Sequence, residues 1–412
     1  MKEIQLTIKA LSPLAIGRQK PGGSISEAQD YIPGSVIRGA VAGQMLRQSN
    51  AAPEQPGGDF QTLFMDEGSA IFTNAYPTSK NKQGILPVQV LPATAVSSKT
   101  APGFKADKAD NGGVFDTLID RFCAESFSHL YDPSCPKDGG RVEPYSGFYS
   151  KAGQQYRSHS VETRLLTRVG INRRRSTAQE QVLYSIEAIS EKKRGKDNKK
   201  NWEPSLFSSS IYLENAELAE LLKQYLNSKH LRLGGSVSRG LGKVEIQAEV
   251  QDYQANTGSR IDAFNTALRK RWQKWDSIFG SPQNPIPQGH QFFTLDLQSD
   301  AILTEQWRRT TVISSAMLWA MAGIVDADLQ LHATYSSYDY RSGWNTAWGL
   351  MKDVDLVTNR GAVYLFSTPK LETWKPTLEL IEHRGVGDRT QEGFGQVQVC
   401  SNFHQVFREN AV

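Results

Sequence analysis

Apolar and polar residues alternate from the start of the chain: Ile4, Leu6 and Ile8 occupy every second position, the period of a strand with one buried face. The run passes through Ala10 into Ser12-Pro13-Leu14-Ala15-Ile16-Gly17, a turn and a short extended piece. The period then changes. Behind Ser35, the apolar residues Val36, Ile37, Ala40, Val41, Met45 and Leu46 recur at helical spacing, which predicts a helix with Ser35 as its N-cap. From about 51 to 156 the pattern breaks into short apolar runs among Pro, Gly and Asn, predicting an irregular insertion with one strand in 87–92. Strand patterning returns at 182–186 and 206–213. Asn215 is placed to cap a helix with a stripe at Leu218, Leu221, Leu222, Tyr225 and Leu226, and Val244, Ile246, Ala248 and Val250 form the next strand.

Strand, helix, strands, helix, strand is the order of a ferredoxin-like βαββαβ unit. Residues 251–290 read as a connector, with a charged helix around 268–275 and a proline-rich stretch at 281–287. Residues 293–302 then resemble 6–15, and an apolar helix is expected at 312–324. Asp355-Leu356-Val357 and residues 361–366 are expected to form a hairpin. The predicted fold class is α+β: two ferredoxin-like, RRM-related βαββαβ domains with insertions, each closing on a glycine-rich loop. The expected division is a first domain at 1–250, with the insertion at 51–156 and a basic hairpin at about 164–201, then the connector, a second domain at 291–400 and a tail at 401–412.

The glycine loops support duplication. Residues 240–246, Gly-Leu-Gly-Lys-Val-Glu-Ile, line up with residues 393–399, Gly-Phe-Gly-Gln-Val-Gln-Val. Such loops bring backbone N–H groups close to phosphates without Cβ clashes, or serve only as tight turns. The first lacks a Gly-Lys-Ser/Thr ending, which argues against nucleotide hydrolysis.

At 412 residues the chain is long enough for two or three cores. Its net charge of +4 is mild, so any nucleic-acid binding must come from local clusters. Arg164, Arg168, Arg173, Arg174 and Arg175 form one, followed by Lys192, Lys193, Arg194, Lys196, Lys199 and Lys200 in a polar loop. The first turn of the Ser35 helix, with Arg38 and Gly39, offers free N–H groups to an anion. Tyr335, Tyr338, Tyr340, Trp344 and Trp348 beside Arg341 either stack on bases or pack on their own domain. Three cysteines make no disulfide framework, which fits a reducing, cytoplasmic setting. Cys123, His129 and Cys135 supply three soft ligands, but zinc wants four and there is no CxxC pair. No metal or cofactor is therefore expected, and no apolar run approaches a membrane span.

Residues 31–40 (Tyr-Ile-Pro-Gly-Ser-Val-Ile-Arg-Gly-Ala), the Gly-Gly-x-x-x-Arg-Gly-Leu-Gly loop at 234–242 and the Arg-Gly-x-Gly-x-Arg-x-x-Glu-Gly-Phe-Gly loop at 384–395 together resemble the RAMP superfamily of CRISPR-associated proteins. The likeness is to the two-domain RAMP of type III complexes, particularly type III-D. It implies a non-catalytic subunit that holds the five-prime handle of the guide RNA (crRNA) and abuts the large polymerase-like subunit and backbone RAMPs, with target RNA as a further partner. The alternative is a RAMP endoribonuclease that processes precursor crRNA or cleaves target RNA. RAMPs that cleave target RNA carry an aspartate in the loop before the Pro-Gly-Ser motif. Here residues 17–29 contain none, and Asp30 abuts Tyr31. Processing RAMPs often use an early histidine, whereas the first here is His129. No catalytic residue is assigned; His230, His383 and Asp30 are the acid–base candidates for the alternative. The expected RNA contacts are Ser35, Arg38, Arg168, Arg173, Arg174, Arg175, Gly235, Ser236, Arg239, Gly240, Gly242, Lys243, His383, Arg384, Gly387, Arg389, Gly393 and Phe394.

Overall fold

A computed structural model describes residues 1–18, 27–49, 57–66, 68–81, 84–172, 174–175, 177–195, 201–345 and 349–412. The opening strand Lys2–Ala10 lies between Val244–Asp252 and Leu206–Leu213, antiparallel to both. Leu206–Leu213 in turn pairs with the short strands Ile71–Phe72 and Tyr76–Thr78. Counting strands along the unit, the order is 4-1-3-2, that of an antiparallel βαββαβ sheet. Ile4, Leu6, Ile8 and Ala10 are buried on one face, against the helices Gly34–Ser49 and Ala216–Ser228, as the alternation requires.

The second half repeats this order. Val397–Val399, Gln291–Leu297, Val363–Thr368 and Gln330–Tyr335 are neighbours in that sequence, all antiparallel, with helices Ser315–Ala322 and Leu371–Arg384 between strands. The molecule is an α+β protein.

Four expectations about the elements are corrected. The second strand of the first sheet lies inside the stretch read as an irregular insertion, because segments of two and three residues, one containing Pro77, are too short to show a period. Residues 182–186 belong instead to a long hairpin, Thr163–Asn172 with Thr177–Ile189, outside the main sheet. Asp355–Thr358 pairs with Tyr338–Arg341 rather than with 361–366. Every residue of Val363–Thr368 is buried, so that run becomes a central strand. The helix in the connector is longer than expected, Thr257–Phe279, and belongs to the second core: Ile261, Phe264 and Leu268 pack with Phe292 and Trp374.

The final residues are no loose tail. Phe403, Val406 and Ala411 share a core with Phe104, Phe115 and Tyr149 of the insertion. Val114 and Val412 exchange backbone hydrogen bonds of 2.9 and 3.0 Å. Between these parts His404 is fully enclosed, its Nε2 2.8 Å from Asp296 of the second sheet and its Nδ1 3.2 Å from Asp116 of the insertion. The Nδ1 contact is misaligned for a hydrogen bond, so it acts as a charge pair.

Cys123, His129 and Cys135 take three separate roles. Cys123 is in the second core, where burial and then Asp120 push its thiol up to about 12. Cys135 is buried beside the Gly112 carbonyl, and the His129 ring lies 4.0 Å from that of Phe279. Among the described residues no His, Cys, Asp and Glu cluster could hold a metal ion, and no helix is long and apolar enough to cross a membrane.

Candidate nucleic-acid interface

The two glycine loops have one backbone. In the first, Ser236 (φ 56°) leads into a 3-10 turn, Val237–Arg239, which ends at Gly240 (φ 87°). In the second, Arg389 (φ 58°) leads into Thr390–Glu392, ending at Gly393 (φ 91°). Each clasps the turn after the first strand of its own unit: Gly235 and Gly242 donate to Ala15 and Pro13, while Asp388 and Gly395 donate to Ile302 and Asp300, all at 2.8–2.9 Å. The glycines are demanded by these close approaches. A Cβ on Gly234 would lie 2.5 Å from the Ala15 carbonyl oxygen, and one on Gly387 would lie 2.3 Å from that of Ile302.

The surroundings of the loops differ. In the first, Gly235, Arg239, Gly240 and Lys243 are exposed while Gly242 is buried. The Arg239 guanidinium lies 5.1 Å over the Tyr184 ring, and Tyr184 is the cross-strand partner of Arg168, which is also exposed. Loop and hairpin thereby form one basic, aromatic face. Among the described residues, neither Arg239, Lys243 nor Arg168 pairs with a carboxylate, whereas Arg164 is bound to Glu191 at 2.8 Å. Arg174 and Arg175 are exposed near the hairpin tip. Arg173 and the Lys196, Lys199 and Lys200 cluster lie outside the described residues.

The second loop is largely absorbed by the junction between the units. Gly393 is buried, with Phe72 and Asn74 around its Cα, and the Glu392 carbonyl abuts Gly34. Arg389 bonds Glu392 at 2.6 Å, lies 3.6 Å from Asp355 and covers the half-buried Phe394 ring at 5.0 Å. Burial would raise the Glu392 carboxyl, but Arg389 outweighs it and holds the group below its ordinary range. Arg384 is exposed and bonded to Glu214 at 3.0 Å, and Gly387 is exposed. His383 is half-buried, its ring 5.3 Å from Tyr253; burial, and then Arg384, lower its pKa. Of the aromatic run, Tyr338 and Tyr340 are exposed, Tyr335 packs under Arg121, and Arg341 bonds Asp300 at 2.6 Å. Trp348 and the Trp344 side chain lie outside the described residues.

The anion site expected at Ser35 is filled from within. The helix begins at Gly34, so Ser35 stands in its first turn rather than at the cap. Asn74 accepts from the Gly34 N–H at 2.8 Å, and Arg38 turns away to donate to the Phe64 carbonyl and to cover the Phe64 ring. Asn74→Ala is expected to cost about 1 kcal/mol, the usual loss of an N-cap, measured by urea denaturation. Asn74 was invisible in sequence because it caps from the link between two short strands, 40 residues away. Tyr184 was missed because its value depends on hairpin register.

The sequence profile of the RAMP superfamily matches residues 7–245, more than half of the protein. The chain belongs to the RAMP superfamily. The matched part of this RAMP contains the end of the opening strand, the basic hairpin and the exposed glycine loop. No curated protein matches the sequence. Among solved structures, the type III-B Cmr-beta complex bound to cognate target RNA contains a chain 13% identical, with TM-score 0.44, covering 96% of each chain. The same complex bound to target RNA and AMPPnP gives 13% identity and TM-score 0.43, covering 93% of this RAMP and 90% of that chain. Oligomeric Cmr4 from Pyrococcus furiosus is 12% identical with TM-score 0.26, covering 61% and 99%.

Proposed function

We propose that this RAMP is a non-catalytic, RNA-binding subunit of a type III CRISPR ribonucleoprotein, holding the five-prime handle of the guide RNA. On this reading it contacts the large polymerase-like subunit and a backbone RAMP. The observation that carries the proposal is the Arg168–Tyr184–Arg239 face with Lys243 in the same loop: cations with no carboxylate partner among the described residues suit a phosphate backbone, and a tyrosine among them suits an unstacked base. The division of labour between the loops is sharper than the repeat suggested. The first loop meets RNA, and the second fixes the two units to each other.

Of the three acid–base candidates for the endoribonuclease alternative, His230 is exposed and the other two are engaged. Asp30 is engaged by Arg360 of the second unit at 2.6 Å, and His383 is packed against Tyr253. Labelled repeat RNA and target RNA are expected to stay intact with the purified protein and divalent metal. Cleavage abolished by His230→Ala or His383→Ala would reverse the assignment.

Arg239→Glu is expected to weaken binding of a labelled single-stranded handle RNA and to flatten its salt dependence by about 0.7 units of log–log slope for each phosphate no longer neutralised. Fluorescence anisotropy from low to moderate salt reads both. Unchanged affinity and slope would remove this loop from the interface. Arg389→Glu, which breaks the pairs with Glu392 and Asp355 inside the second unit, should lower thermal stability more than it changes the slope.

A further inference from the structure

A cleft of about 490 Å³ lies over the polar face of the first sheet, closed on its far side by the last strand of the second unit. Its lining includes Gln5 and Ser208 from the central strands, Tyr212 and Tyr253, and Gln396 and Gln398 on the wall from the second unit. None of these groups belongs to the basic face already described. We infer that this cleft receives one unstacked, uncharged nucleobase of a bound single-stranded RNA, an inference that rests on the RNA-binding reading above.

The charge of the cleft excludes a phosphate. Arg260 is its one cation among the described lining residues, and it is consumed: its side chain is buried, bonded to Glu382 and to the Val399 carbonyl. Glu382 is neutralised in that pair, so Glu3 is the uncompensated charge among the described lining residues; it repels a backbone anion and leaves a neutral, hydrogen-bonding ring as the fitting guest. The remaining lining is mostly amide and hydroxyl, both donor and acceptor, the complement of a base edge. Tyr212 and Tyr253 stand perpendicular, with centroids 5.7 Å apart, and offer a ring surface for stacking.

The two wall glutamines supply the independent mark of a ligand. Gln396 is 8% exposed. Its Nε2 donor and the Gln398 Oε1 acceptor are both buried without a hydrogen-bond partner. Most buried polar groups are paired, and each exception needs an explanation. The two residues are two positions apart on an extended segment, so they share a face. Both residues line the cleft, and a turn of each amide would present one donor and one acceptor to the same guest.

The test uses the full-length protein with Gln396→Met and Gln398→Met, which keep side-chain length and remove the amides. Short RNA homopolymers are titrated by anisotropy, and the four free nucleosides by saturation-transfer NMR. The wild type is expected to prefer one base by about tenfold, the discrimination of a good base contact, and to show saturation transfer from that nucleoside. Both variants should lose the preference while retaining the wild-type salt slope. Salt-dependent RNA binding with no base preference, or a preference unchanged in both variants, would overturn the cleft assignment and leave the basic face standing. If no RNA binds at all, the RNA-binding reading fails, and the nucleoside titration alone then decides the cleft: no transfer, or transfer equal in the variants, refutes it. Circular dichroism melts of both variants distinguish an altered cleft from a failure to fold.

Discussion

His404→Ala is expected to lower the unfolding free energy by about 3–5 kcal/mol, the cost of breaking a buried ion pair by removing one partner. The imidazole sits between Asp116 and Asp296 with no exposure to solvent, so its loss leaves two carboxylates facing each other in the interior. Three parts of the chain meet there: the insertion, the first strand of the second sheet and the C-terminal segment. Burial by itself would lower the histidine pKa, but Asp296 and then Asp116 outweigh it and raise the group to about 10. A folded pKa above the unfolded value of about 6.5 means that the protonated ring contributes its full stabilisation below pH ~6.5. That contribution is lost as pH rises through about 10. The difference in unfolding free energy between wild type and His404→Gln should therefore shrink between about pH 7 and pH 10, as read from urea titrations at each pH. A gap that stays constant across that range would mean the ring is neutral in the fold.

Gly395→Ala should cost about 3 kcal/mol or more, and Gly240→Ala about 1 kcal/mol, although the two glycines occupy nearby positions in the duplicated loops. At Gly395 φ is 66° and a Cβ would lie 1.9 Å from the Val386 carbonyl oxygen. The strain of a left-handed residue, about 1–3 kcal/mol, then adds to a backbone clash that nothing flexible can relieve. At Gly240 φ is 87°, but no atom lies within 4 Å of the added carbon, so only the conformational term applies. Guanidinium denaturation of the two variants measures the difference. Equal losses would show that the backbone around Val386 can shift to admit the methyl group.

The loop pairing was legible because glycine spacing records backbone geometry directly. Gly240 and Gly242 against Gly393 and Gly395 gave the correct register, and the likeness of residues 6–15 to 293–302 placed Ala15 opposite Ile302, the two residues that the loops clasp. Asn215 was legible as a helix cap for a similar local reason: its side chain accepts from Leu218 at 3.0 Å, three residues along the same chain. Such features need only neighbouring residues to take effect.

What the loops face was not legible. Arg239 ends the turn in the first loop and Arg389 opens the turn in the second; one lies exposed over Tyr184 and the other is bound to Glu392 beside Asp355. Asp30 and Arg360 are 330 positions apart, and a helix that read as a linker packs into the second core. By itself the sequence determined the periods of the longer strands and helices, the positive-φ glycines and the duplication, because steric and hydrogen-bonding rules act over a few residues. Only the tertiary structure decided which loop remains open, which short segments complete the first sheet and where His404 is enclosed. Those outcomes depend on burial and on charge pairing between distant parts of the chain, which no local pattern encodes.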